Sequence, residues 1–224
     1  MINSFFHILF LSVVALFPVV NPVGTALMVN PYLKNLSMQE RQVCSRKIAL
    51  YTFSICIIFL ILGHLILKLF GITIPVIQLG GGLLICKNGW DMLNNDSQNT
   101  SESDTNITEN VTTPDNDLSK VNNLLFYPLT FPLTVGGGTI SVLFTLGAHA
   151  DNTNTMLFIV NLSAVIAAVL IMCILVILIY PNTKTLLSRM SLQSAKVLDK
   201  LMAFLIFCVG LQIATSGIKG LYTF

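Results

Sequence analysis

FPVVNPVGTALMVN, Phe17 to Asn30, lies where a helix long enough to cross a membrane should run unbroken, yet it carries Pro18, Asn21, Pro22 and Gly24. The reading of this stretch decides the fold, because the chain around it is that of a membrane protein. Of its 224 residues 54% are hydrophobic and only 10% charged, where soluble domains average about 25% charged residues. Mean hydropathy is +0.80. So little charge cannot coat a protein of this size with a polar surface, so the lipid bilayer is the expected partner.

A helix needs about 20 apolar residues to cross a bilayer. Six stretches qualify: Phe5–Val29, Ile48–Phe70, Ile72–Leu93, Leu124–Ala148, Met156–Tyr180 and Val197–Lys219. The runs are long and continuous, where barrel strands would be short and alternating. The predicted fold class is therefore an all-α integral membrane protein with six transmembrane helices. No Lys or Arg precedes Lys34, so the first stretch lacks the basic start of a signal peptide and reads as a retained span.

Basic residues mark the cytoplasmic side. Lys34, Arg41, Arg46 and Lys47 follow the first span, and Lys184, Arg189, Lys196 and Lys200 follow the fifth. Six spans then place both termini outside. Residues 94–120 hold six acids against one lysine and are rich in Asn, Ser and Thr. Such a segment buries too little apolar surface to offset its ordering entropy, and reads as a disordered linker. It divides the chain into a first transmembrane repeat, 1–93, and a second, 121–224. Three spans in each half require the halves to be inverted relative to one another, as in inverted-repeat transporters.

The break has an echo in the second half. FPVVNPVGT, Phe17–Thr25, is answered by FPLTVGGGT, Phe131–Thr139, with Phe, Pro, Gly and Thr at identical offsets. Proline interrupts one helix and glycine the other. Interrupted backbone within a membrane must be buried in protein or line a cavity, and the N–H groups of a half-helix N-terminus suit an anion. Paired breaks in spans one and four therefore point to a binding site, whereas a single break would read more simply as a packing kink. Asn161, Gln78 and Gln212 lie within spans and fit either a solute path or interhelical hydrogen bonds. Gly80-Gly81-Gly82 and Ala164/Ala168 read as close-packing faces, and Lys87, Trp90 and Asp91 as an interfacial cluster. Five scattered cysteines carry neither a metal spacing nor a disulfide framework. The spans show no constellation for enzyme chemistry, His64 standing alone. No Walker motif supports nucleotide use, and no cofactor or nucleic acid is expected.

Four stretches together carry a family resemblance: FPVVNPVGTALMV in span one, FGITIPVIQLGGGLLICKNGWDML through span three, PLTVGGGTIS in span four, and LDKLMAFLIFCVGLQIATSGI at the end. On these the chain resembles the MarC family of bacterial inner-membrane proteins. Members usually read Gly-Pro-Gly where this chain has Gly136-Gly137-Gly138. The resemblance implies a multi-pass protein of the bacterial inner membrane, akin to lysine-exporter-type carriers and to transporters of small neutral amino acids. The leading expectation is thus a secondary transporter of a small zwitterionic solute, with Na⁺ or H⁺ coupling and homo-oligomerisation left open. The expected site joins Asn21, Pro22, Gly24 and Thr25 with Gly136, Gly137, Gly138, Thr139 and Ser141, the solute carboxylate lying at the two half-helix N-termini. A passive channel and a non-transporting scaffold are the rival readings.

Overall fold

The computed structural model describes residues 2–94, 118–150, 155–185 and 192–222. The acidic segment 95–117, Asp151, and the side chains of His64 and Asp199 lie outside that description. The described residues form helices and short connections, with no strand among them. In chain order they are α1 (Ile2–Val20), α2 (Pro22–Leu33), α3 (Met38–Phe70), α4 (Ile74–Asn94), α5 (Leu118–Leu124), an irregular segment (Leu125–Thr134), α6 (Gly137–Ala150), α7 (Thr155–Ile179) and α8 (Leu192–Tyr222).

Local signals fix the element ends. Ser37 caps α3 by accepting from the Glu40 N–H, and the Glu40 carboxylate accepts from the Ser37 N–H in return. This reciprocal box satisfies two donors that a helix start would otherwise leave free. At the far end Gly71 turns left-handed, φ 65, and the Ile72 N–H reaches back to the Leu67 carbonyl. Glycine takes that conformation without a Cβ penalty.

Length and apolarity qualify four stretches as membrane spans: Asn3–Leu33, Met38–Gly63, Thr155–Ile179 and Lys200–Tyr222. Val121–Thr134 and Gly137–Gly147, bent by 63°, make a fifth if taken together. Length and apolarity thus give four to five spans among the described residues where six were expected. The stretch at issue is α4, whose 21 residues include Gln78, Gly80, Gly81, Gly82, Lys87, Asn88 and Asp91. It stands where span three was expected but is less apolar than the others.

α4 lies along α8, its most extensive partner. The reason is glycine. A Cβ on Gly89 would lie 2.6 Å from the Phe207 backbone nitrogen, and one on Gly210 would lie 2.6 Å from that of Cys86. A Cβ on Gly82 would overlap the Ala214 backbone nitrogen. Small residues at such crossings let backbones approach closely. Lys200 of α8 donates to the Met92 and Leu93 carbonyls, capping the end of α4. Elsewhere α1 packs on α7, and α3 on α7, α6 and the irregular segment. Ala164 and Ala168 are fully buried on α7, and large apolar side chains such as Phe10, Leu65, Ile159 and Phe204 face outward. An outward apolar surface of this kind suits lipid contact.

Candidate functional site at the two interrupted helices

The first interruption is a single residue. Asn21 adopts a left-handed backbone, φ 44 and ψ 61, between α1 and α2. Pro22 disfavours an α conformation in the residue before it, and Asn accepts the left-handed alternative more readily than most residues. The Asn21 Oδ1 then accepts from the Gly24 N–H at 3.1 Å, and the Thr25 N–H and hydroxyl both donate to the Asn21 carbonyl, at 2.9 and 2.8 Å. A Cβ at Gly24 would overlap the Asn21 amide. At this half-helix, where the carboxylate seat was expected, the Gly24 N–H is bonded to the side chain of Asn21.

The second interruption is longer. Tyr127 and Phe131 are extended within the irregular segment, each before a proline, and the Tyr127–Pro128 and Phe131–Pro132 peptides are cis. Two threonines of this segment turn back onto the backbone. The Thr130 hydroxyl donates to the Leu125 carbonyl at 2.6 Å, and that of Thr134 to the Leu129 carbonyl at 2.8 Å. Hydroxyls commonly re-satisfy freed backbone groups inside membranes. Val135 and Gly136 then make the bend, and α6 begins at Gly137.

Tyr180, at the end of α7, joins the two interruptions. Its hydroxyl lies 2.9 Å from the Thr25 Oγ1 and 3.0 Å from the Thr134 Oγ1. Tyr180 and Thr134 are each 1% exposed and Thr25 is 6% exposed. The result is a chain of three hydroxyls in the protein interior, anchored on the Asn21 and Leu129 carbonyls. A buried polar chain of this kind fixes one arrangement of the groups it joins, because breaking it strands them in a low-dielectric interior.

The expected site residues separate into groups. Asn21, Pro22, Gly24 and Thr25 meet at the first interruption. Gly138 packs against the same region: a Cβ there would lie 3.2 Å from Val19 and 2.7 Å from Ile85. Gly136 is half-buried, and Gly137 is exposed beside Leu84. Thr139 is buried with its Oγ1 unpaired. Ser141 turns toward α4, its hydroxyl donating to the Ile77 carbonyl at 3.1 Å. The threonine of the second half that is joined to Thr25 is thus Thr134, through Tyr180, and not its offset equivalent Thr139. Asn161 belongs to packing: its amide links the Ser4 hydroxyl to the Ala150 carbonyl.

Tyr180 and Thr134 were missed in the sequence. A signal for Thr134 was present, since YPLTFPLT, Tyr127–Thr134, is a tandem aromatic-Pro-Leu-Thr repeat that sets each threonine two residues after a proline.

A family description, "MarC family integral membrane protein", matches residues 6–222. The chain is similar to the UPF0056 membrane protein YvbG of Bacillus subtilis (strain 168), 28% identical over 211 residues, which cover 93% of each chain. It is also similar to the UPF0056 inner membrane protein MarC of Escherichia coli. The strain K12 protein is 26% identical over 211 residues, covering 93% of this chain and 92% of that one. No solved structure matches it significantly.

Proposed function

The chain belongs to the MarC family of integral membrane proteins, and from that premise we propose that it is a secondary transporter of small neutral amino acids or similar zwitterions. Its place is the bacterial inner membrane, in keeping with the name of the Escherichia coli relatives. The observation that carries the reading is the Tyr180 bridge. A carrier must switch between two arrangements of the elements around its solute. The bridge ties the broken helix of one half to the broken helix of the other at buried hydroxyls that no packing need requires. Opening it on one side and reforming it is a discrete switch.

One further feature favours an inverted repeat. Although α4 on α6 has no comparable counterpart in α8 on α2 among the described residues, some packing pairs exchange when α1, α2, α3 and α4 trade places with α5 and the irregular segment, α6, α7 and α8. Thus α1 on α7 answers the irregular segment on α3, and α2 on α7 answers α6 on α3. In that scheme α4 is the sixth span, carried by its glycine contact with α8. Solute would enter between the halves beside Asn21, Thr25 and Gly138, and rocking of one half against the other would alternate access.

Uptake of radiolabelled alanine and glycine into proteoliposomes, with and without imposed Na⁺ and H⁺ gradients, tests the reading. Gradient-driven accumulation is expected, lost in the Gly24→Leu/Gly138→Leu double variant. Flux that never exceeds the solute gradient would indicate a passive channel instead. Absence of flux from well-folded protein would leave the scaffold reading.

A further inference from the structure

Arg41, near the start of α3, is 2% exposed. Its guanidinium carries a permanent charge. Nη1 donates to the Pro181 carbonyl at 3.4 Å, just beyond α7, where the helix dipole favours a cation. Nε and Nη2 are buried and have no hydrogen-bond partner among the described residues. The adjacent Glu40 does not serve, since its carboxylate is held by the Ser37 N–H at 2.8 Å. A buried charge left half-paired is strongly unfavourable. The free edge is also the one whose two parallel N–H groups accept a carboxylate bidentately.

We propose that Arg41 is the carboxylate-binding residue of this protein, taking the carboxylate of a small solute on its Nε–Nη2 edge. The inference rests on the transport reading and moves the anion away from the α2 N-terminus, where the Gly24 N–H is already used. Tyr180 and Pro181 are consecutive, so the guanidinium and the hydroxyl bridge are held by one helix end. A carboxylate on the Nε–Nη2 edge leaves the Nη1 bond to the Pro181 carbonyl in place, so the same guanidinium holds both solute and helix end. The enclosure of the side chain favours a small solute over a lipid headgroup.

The test measures thermal unfolding of the purified full chain in neutral detergent with L-alanine, acetate or L-alaninamide added, alongside alanine uptake in phosphatidylcholine liposomes. Alanine and acetate should raise the midpoint of the wild type, and alaninamide, which lacks the carboxylate, should not. Arg41→Lys keeps the charge and loses the fork. It should weaken alanine affinity about tenfold to a hundredfold, the worth of a charge-assisted bond, and Arg41→Gln should abolish the response. Should Arg41→Gln fail to fold, Arg41→Lys and the acetate-against-alaninamide contrast carry the decision. Unchanged affinity and uptake in Arg41→Lys would overturn the assignment and leave the transport reading intact. So would stabilisation by phosphatidylglycerol alone. Carboxylate-dependent stabilisation without uptake would keep the Arg41 site and overturn the transporter.

Discussion

Tyr180 places its hydroxyl in the buried interior between the hydroxyls of Thr25 and Thr134. Removing that oxygen leaves Thr25 and Thr134 their own carbonyl bonds to Asn21 and Leu129. Tyr180→Phe should therefore fold, with a loss of about 1–2 kcal/mol for two interior hydrogen bonds, read as a lowered unfolding midpoint. Uptake should fall with it. Asn21 offers a sharper contrast. Asn21→Gly keeps the left-handed backbone and loses only the cap on Gly24, whereas Asn21→Ala loses both. The alanine variant should be destabilised by about 1–2 kcal/mol more than the glycine variant, a difference measurable by denaturation of the pair in the same detergent. The position of this break was legible in the sequence because proline restricts the residue before it whatever the surroundings. Tyr180 was not: a tyrosine closing an apolar span looks like an ordinary member of the interfacial aromatic belt. Arg41 was counted among the basic residues that orient a loop, because nothing in a linear sequence separates a solvated arginine from one folded under a helix end.

At the level of elements, proline and glycine interrupt helices differently. The first interruption keeps i to i−4 bonding on both sides, from Asn21 N–H to Phe17 and from Thr25 N–H to Asn21. The second loses that register over the ten residues Leu125–Thr134 and bends by 63°. The echo seen in the sequence is thus an echo of place rather than of shape. Thr134→Val should uncover the Leu129 carbonyl and detach the second interruption from Tyr180, with a loss of about 1–3 kcal/mol and a larger effect than Thr215→Val on the exposed face of α8. Parallel melting curves decide the comparison. The glycine run of α4 divides in the same way. Gly82 touches α8, Gly81 meets Ser141 of α6, and a Cβ on Gly80 would meet nothing within 4 Å. Gly80→Ala should be neutral or slightly stabilising, since alanine favours helix, while Gly82→Leu should part α4 from α8 and abolish stable expression. That the run was a packing face could be read from composition. Which glycine faces which helix required the partners.

For the whole molecule, the proposed six-span inverted arrangement would put residues 35 and 152 on opposite sides of the membrane. Single cysteines at those positions in a cysteine-free background should react with an impermeant maleimide from opposite faces of oriented vesicles. Reaction of both from one face would remove the inverted arrangement. The all-helical class was legible because apolar length is a one-dimensional quantity. The six-span count was less so, because α4 falls below the apolarity of its neighbours and owes its place to a partner more than a hundred residues away. That dependence has a consequence in time. A ribosome completes α4 long before it begins α8, so the growing chain must hold a helix that lipid accepts poorly until its counterpart is made. Nascent chains released before residue 192 should leave α4 open to protease, and chains released after residue 222 should not. Settling of α4 is then deferred until α8 has been made.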